Sequence, residues 1–198
     1  PALIENAAKQ LGMPVGPLQL IDETSIDLGM RIAKETKAAQ GNMYDNEATD
    51  SVLKVMFEAG RLGRKSNAGF YSYDNGKRRG IWKGLQDHWM PLEKQPNFDE
   101  VKYRLAMIQA LEALRAIEDG VLTDIREGDV GAILGWGCMP WAGGPLGWLD
   151  LIGANEAINI CEMLSEKHGN RFCSPNLLIE LREKKSTIYG HFPDGKTN

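Results

Sequence analysis

Two aspartates at matched positions are the first candidates for acid–base chemistry. Asp22 and Asp150 each follow the proline of a Gly-Pro-Leu tripeptide by five residues. Two carboxyl groups whose pKa values differ can serve as general acid and general base. Because both aspartates occupy the same place in similar segments, we favour the alternative interpretation that each caps or joins helices.

A cysteine and a glycine-rich stretch suggest two further sites. Cys138 is a possible nucleophile, but no histidine or aspartate adjoins it in the sequence, so we expect a buried thiol. Residues 131–137, GAILGWG, contain a G-x-G formed by Gly135 and Gly137. The third glycine of a dinucleotide-binding loop is replaced by Pro140, and no βαβ pattern surrounds the stretch. We therefore predict that this chain itself binds no NAD.

Basic and aromatic side chains are weaker ligand candidates. Arg64 and Lys65 are candidates for contact with the phosphates of a ligand, but an exposed turn is the preferred interpretation. The basic run at residues 77–79 is a second such candidate, for which a solvated linker is preferred. Three tryptophans could stack on an adenine, although a core or interface role is more common. The three histidines match no zinc spacing, so we predict no metal site. These tryptophans and histidines are Trp136, Trp141, Trp148, His88, His168 and His191.

The composition limits the class of protein. The 198 residues are 42% hydrophobic and 25% charged, which is ordinary for a globular chain. A net charge of −4 argues against a nucleic-acid partner, and no apolar run approaches a transmembrane segment. The three cysteines form no CxxC pair, and no signal peptide is recognisable. We expect a bacterial cytoplasmic protein, or one from another reducing compartment, that is not secreted.

The two aspartates end two copies of one motif. The first motif is GMPVGPLQLID, residues 12–22, and the second motif is GCMPWAGGPLGWLD, residues 137–150. Each contains Met-Pro, then Gly-Pro-Leu, then Asp, and the second has two extra residues between the pairs. This order indicates an internal duplication, which repeat proteins often display.

Helical periodicity and turn residues predict a mainly α fold with little strand. Residues 70–82 alternate aromatic side chains up to Asn75-Gly76, which predicts a short hairpin or an extended segment. We assign residues 1–76 to a first helical repeat, 77–97 to a linker and 98–198 to a second repeat. Helices are predicted over residues 3–11, from Pro17, from a cap at Asp27 to Gln40, around 52–59, 100–118, 129–134, 155–168, and 176–184 after Ser174-Pro175.

An overlay of the halves places residues 4–12 on 129–137 and residues 63–73 loosely on 183–192. The helix predicted over 100–118 then has no counterpart in the first half. Its counterpart would precede Pro1, and a repeat without it would leave an apolar face open. We therefore expect the chain to be a fragment cut within its first repeat.

These motifs resemble the C-terminal domains of 3-hydroxyacyl-CoA dehydrogenases. The first half is similar to that family's GxPxGPxxLxD segment and, through LGRKSNAGFYSY, to its LGxKxxxGFYxY segment. Residues 119–153 resemble the tandem copy found in multifunctional fatty-acid β-oxidation enzymes of the hydratase/dehydrogenase α-subunit type. The sequence departs from the family at Cys138-Met139-Pro140, where Phe-Pro-Pro is usual.

The resemblance implies a part in the NAD-dependent oxidation of 3-hydroxyacyl-CoA. It implies that the cofactor and a His–Glu pair lie in an N-terminal Rossmann domain absent here, so this chain has no catalytic residue and is inactive alone. It places Met13, Pro14, Gly16 and Pro17 beside the acyl-CoA substrate. Implied partners are that Rossmann domain, further copies in a homo-oligomer and a thiolase subunit. The alternative is a non-catalytic helical assembly module.

Overall fold

The structure, a computed structural model, describes residues 1–197 and is mainly α-helical, as predicted. It divides into two compact units. The first unit comprises residues 1–6 and 15–95, and the second comprises residues 7–14 and 96–198. Helix α1, Ala2–Gln10, begins in the first unit and ends in the second. Within residues 1–197 no helix is long and apolar enough to cross a membrane.

Four α-helices and a hairpin form most of the rest of the first unit. The helices are α2 Pro17–Thr24, α3 Ile26–Gln40 and α4 Glu47–Glu58, followed by strands β1 Tyr71–Asp74 and β2 Lys77–Ile81 and by α5 Leu85–His88. Apolar side chains from these elements share one core: Ile26, Leu53, Met56, Phe70, Tyr71, Tyr73 and Leu85.

The hairpin confirms the prediction made from the aromatic alternation. β1 and β2 pair antiparallel around Asn75 and Gly76, whose φ angles are 49° and 73°. Such left-handed backbone suits Asn-Gly in a two-residue turn. The predicted linker was wrong at its start, because residues 77–81 form β2 and Leu85 is buried in the core of the first unit.

The second unit is built from six helices besides the end of α1. They are α6 Phe98–Glu118, α7 Ile125–Trp136, α8 Pro145–Ile152, α9 Ala154–His168, α10 Asn176–Lys184 and α11 Ile188–His191. Helix α6 carries Met107, Ala110 and Leu114 into the core at helical spacing, and this periodicity predicted the helix.

Several predicted helix starts were displaced. Helix α3 begins after Ser25, at φ 84°, and Asp27 lies inside it, where its carboxylate pairs with Lys65 Nζ at 2.5 Å rather than capping. Helix α7 starts earlier than predicted, because Asp124 accepts a hydrogen bond from the Arg126 N–H at 3.0 Å.

Helix α10 spans the predicted residues, but its cap is different. Ser174 is not the cap residue. Pro175 occupies that position, and the Glu118 carboxylate accepts from the Leu177 N–H at 2.6 Å. An acid that is distant in sequence therefore satisfies an amide at the start of this helix.

Candidate functional site

The Gly-Pro turn of the first motif is held by a buried acid on α1. The Leu18 N–H, in the first turn of α2, donates to Glu5 Oε1 at 2.7 Å, and the Tyr71 hydroxyl donates to Glu5 Oε2 at 2.6 Å. A Cβ added to Gly16 would overlap this carboxylate, so glycine is needed for the close approach. A negative charge here also complements the positive end of the α2 dipole.

Asp22 joins the end of α2 to the hairpin. Its carboxylate accepts from the Phe70 N–H at 2.8 Å, the Tyr71 N–H at 2.9 Å and the Tyr73 hydroxyl at 3.0 Å. Burial raises the pKa of Asp22, while these hydrogen bonds and the nearby Arg61 oppose the rise. Because the Asp22 carboxylate accepts from three donors within the chain, it joins the helix to the hairpin and does not act as a general base.

Arg61 completes the first network from the opposite side. Its guanidinium donates to the carbonyls of Gly69 at 2.7 Å and Tyr71 at 3.1 Å. It also lies over the ring of Trp82, 4.1 Å from the centroid. Backbone groups of the chain entering β1 are therefore satisfied by a carboxylate on one side and a guanidinium on the other.

The second motif is held by the same kinds of contact. Asp129 on α7 accepts from the Leu146 N–H at 2.8 Å, the Gly147 N–H at 3.0 Å and the Tyr189 hydroxyl at 2.9 Å. Burial raises the pKa of Asp129. Asp150 accepts from the Ile188 N–H at 2.6 Å and the Tyr189 N–H at 3.0 Å. Asp22 and Asp150, the two candidates for acid–base chemistry, therefore both join backbone segments.

The sequence reading missed the two acids on the preceding helices and their tyrosines. The overlay placed Ile4 on Asp129, whereas the contacts make Glu5 the counterpart of Asp129 and Tyr71 the counterpart of Tyr189. A shift of that overlay by one residue would have aligned the acids. A buried acid on an apolar helix face was the available signal.

The four predicted substrate residues are divided between the two units. Met13 and Pro14 belong to the second unit, where Met13 is half-buried and Pro14 exposed. Gly16 and Pro17 belong to the first unit, where Gly16 is buried and Pro17 half-buried. Apolar, partly accessible surface is what an acyl chain requires, but the residues carry no proton acceptor.

Within the second unit, the turns of the two motifs contact each other reciprocally. A Cβ added to Gly12 would lie 3.1 Å from Pro140 Cδ, and one added to Gly137 would overlap Pro14 Cδ. The Trp141 Nε1–H donates to the Leu11 carbonyl at 2.9 Å. Such an exchange, in which each motif's glycine meets the other's proline, is the pattern of an isologous contact.

The remaining candidates found structural roles. Cys138 is buried, and burial raises the pKa of its thiol to about 11, so it stays protonated at neutral pH. Arg64 pairs with Glu23 at 2.9 Å, and Lys65 pairs with Asp27. Among residues 1–197, no group of three or more His, Cys, Asp or Glu side chains could hold a metal ion.

The dinucleotide-like stretch has the wrong geometry for a nucleotide. Gly131 and Gly135 lie inside α7, and Gly137 ends that helix in a left-handed conformation. A phosphate-binding loop instead connects a parallel strand to a helix. The sheet in the described residues is a two-stranded antiparallel hairpin, so these residues do not fit an NAD-binding fold.

Comparison with known proteins finds a family model that matches the part of the chain containing the first motif. Residues 1–73 match the family model of the 3-hydroxyacyl-CoA dehydrogenase C-terminal domain. The match includes the first motif together with the acids and tyrosines that hold it, Glu5, Asp22, Tyr71 and Tyr73.

The fold is shared with solved dehydrogenases. The 3-hydroxybutyryl-CoA dehydrogenase from Escherichia coli K12 superposes with a TM-score of 0.67 at 19% identity, over 93% of this chain and 55% of that one. The dehydrogenase part of multifunctional enzyme 1 from Caenorhabditis elegans gives 0.58 at 20% identity, over 91% and 41%. The chain thus spans about half the length of these structures. It has the fold of 3-hydroxyacyl-CoA dehydrogenases, and its first 73 residues match the C-terminal domain of that family.

Proposed function

We propose that this chain is the C-terminal part of an NAD-dependent 3-hydroxyacyl-CoA dehydrogenase and forms the acyl-CoA side of its active site. The observation that carries the proposal is the family match over residues 1–73, which contains the first motif. The partial coverage of both solved dehydrogenases supports a parent with further domains. In that parent, NAD and the reacting groups are held by a Rossmann domain, and this chain alone is inactive.

The finer assignment is a multifunctional parent that also carries an enoyl-CoA hydratase and acts in fatty-acid β-oxidation. Support comes from the likeness to the multifunctional nematode enzyme and from the paired acid contacts around the two motifs. Those contacts favour two tandem copies, residues 1–76 and 98–198. The second copy contributes to a homo-oligomer and to a thiolase subunit's docking, in a reducing compartment.

The four wall residues have distinct roles in this proposal. Met13 offers a flexible, half-buried thioether to the acyl group, and Pro14 offers a rigid exposed ring. Gly16 and Pro17 place the start of α2 against Glu5, which fixes the turn. The chain thereby excludes water and orients the thioester, while proton and hydride transfer belong to groups in the other domain.

Binding of acetoacetyl-CoA, measured by isothermal titration calorimetry, tests this role. Met13→Glu should weaken binding at least tenfold, because the carboxylate must be desolvated beside the acyl chain. Met43→Glu is the matched control, since Met43 is 86% exposed and should tolerate the charge. Equal binding by wild type and Met13→Glu would remove Met13 from the site, and reduction of NAD⁺ by the chain with 3-hydroxybutyryl-CoA would disprove its inactivity.

The alternative function, a non-catalytic helical assembly module, is favoured by the reciprocal contact of the two turns. Gly12 against Pro140 and Gly137 against Pro14 show both Met-Pro turns engaged in packing. If assembly is their sole use, acetoacetyl-CoA should leave the calorimetric baseline unchanged in wild type. Saturable binding that Met13→Glu weakens would exclude this alternative.

A further inference from the structure

An open apolar groove lies within the second unit, between α6 and α7, and is closed at one side by Pro145 at the start of α8. Its volume is about 460 Å³. Small side chains form its floor, since alanines from both helices leave room between them. The principal lining residues are Ile108, Ala113, Ala116, Leu122, Ala132 and Trp136.

The polar groups at the groove are already paired. The Trp136 Nε1–H donates to Gln109 Oε1 at 2.8 Å, and Gln109 Nε2 donates to the Leu105 carbonyl at 2.7 Å. Glu112, at the rim, pairs with Arg115. A ligand group that enters therefore meets hydrocarbon and gains no new hydrogen bond, so burying a polar group there would be costly.

The size of the groove favours a small ligand over a folded partner. Along α6 the lining runs from Ile108 to Ala116, which is about 12 Å at the α-helical rise. Its volume falls within the range of about 300–1,000 Å³ that is usual for small-molecule sites. A stable protein interface instead engages about 20–30 residues on each side. Val121 at the edge is 78% exposed, so access from solvent is open.

The correspondence between the two motifs indicates which kind of hydrocarbon binds in this groove. Pro145 occupies in the second motif the place that Pro17 occupies in the first, where the proposed acyl-CoA wall lies. We propose that this groove is a second site, one that binds the unbranched aliphatic chain of an acyl thioester. The identity of this ligand rests on the proposed function. The rim favours the thioester over the free fatty acid, because Arg115 already pairs with Glu112 and a carboxylate at the mouth would lose water without gaining a free cation.

The test follows the five tryptophan indole N–H signals of the full chain by NMR, with the Trp136 signal assigned from Trp136→Phe. Dodecanoyl-CoA, kept below its micelle concentration, should shift the Trp136 signal saturably, and free CoA should not. Dodecanoate, the other source of the same chain, should bind at least tenfold more weakly.

Two variants that fill the groove and one control sharpen the test. Ala113→Phe should abolish the Trp136 shift, and the smaller Ala116→Leu should weaken binding threefold or more. Ala38→Phe places the same ring at an exposed position of α3 and should bind as wild type.

Three results would overturn the groove assignment: a Trp136 signal that does not move, one that free CoA moves equally, or one that moves equally in Ala113→Phe. Acetoacetyl-CoA binding and its dependence on Met13 are measured separately and with a short chain. Failure of the groove assignment therefore leaves the proposed function standing. Failure of acetoacetyl-CoA to bind is likewise recognised without the result for the groove.

Discussion

Equivalent acids support the two motifs, Glu5 and Asp22 in the first and Asp129 and Asp150 in the second. The Met-Pro turns of the two motifs are arranged differently. In the first, Met13 is half-buried and the turn reaches Gly16 directly. In the second, Met139 is only 1% exposed and adopts a left-handed φ of 43°. A short 3₁₀ turn at Pro140–Ala142 accommodates its two additional residues. The set of buried acids that supports each motif, here called its frame, is kept in both copies, while Met139 is withdrawn into the core and Met13 stays partly accessible.

The frames also differ in how deeply their second acid is buried. Asp22 is 1% exposed and receives three donors, whereas Asp150 is half-buried and receives two backbone amides. A buried donor that loses its acceptor cannot turn to water, whereas a partly exposed one can. The first motif should therefore be more sensitive to loss of its second acid.

Removal of the second acids should give the largest effect. Asp22→Ala leaves two amides and the Tyr73 hydroxyl without their acceptor and should lower the free energy of unfolding by about 4 kcal/mol. Asp150→Ala should cost about 1 kcal/mol, since Asp150 is half-buried and water can reach the exposed residue Tyr189, which supplies one of its two donors. Urea unfolding followed by circular dichroism measures both, and equal losses would contradict the difference in burial.

Alanine at the glycines before each Pro-Leu should have the next largest effect. Gly144 has φ 105°, and a Cβ there would lie 2.5 Å from Asp129 Oδ1, so Gly144→Ala should cost about 3 kcal/mol. Gly16 has an ordinary φ of −74°. Gly16→Ala should therefore lower the free energy of unfolding by about 2 kcal/mol, through displacement of Glu5 alone. Thermal unfolding compares the two with Gly80→Ala, where a Cβ meets open space. A Gly80→Ala loss as large as either would show that the acids are not the cause.

Loss of the tyrosine hydroxyls should be smaller and similar in the two frames. Tyr71→Phe removes a hydrogen bond to the Glu5 carboxylate, and Tyr189→Phe removes a hydrogen bond to the Asp129 carboxylate. Each is a bond to a carboxylate and should contribute about 1.5 kcal/mol. Tyr103→Phe, in a half-buried tyrosine outside both frames, serves as the control in the same urea titration. A loss confined to one frame would break the equivalence of Glu5 and Asp129.

The pH dependence should give the smallest effect. Burial raises the pKa of Asp22 above its usual 3.8, so the folded chain holds this proton more tightly than the unfolded chain. The resulting stabilisation is complete below pH about 4 and is lost as the pH rises through the folded-state pKa. The stability advantage of wild type over Asp22→Asn, measured by urea unfolding, should therefore narrow as the pH rises from about 4. A gap that widens with rising pH would reverse the sign.

Local patterns predicted the elements well, and long-range contacts escaped them. The spacing of Met107, Ala110 and Leu114 predicted α6, and Asn75-Gly76 predicted the turn between β1 and β2. The support that Glu5 gives to α2 could not be read locally, because its partner Tyr71 lies 66 residues away. Ser25 was missed as the start of α3 for a different reason, since a left-handed serine gives no sequence signal.

The candidate site shows the same limit. The motif located Met13 to Pro17 and its counterpart, and composition predicted that they were apolar. Which of Met13 and Met139 stays accessible depends on the packing around the two-residue insertion. The sequence spacing revealed the two-residue insertion but not which methionine is buried beside it.

Hydrogen exchange of the two motifs with and without acetoacetyl-CoA tests the division of roles between them most directly. We predict slower exchange over residues 13–20 and no change over residues 139–148, because the Met13 side chain is partly accessible to the thioester whereas Met139 is buried. Equal protection of both segments, or protection of the second alone, would contradict the division of roles between the two motifs.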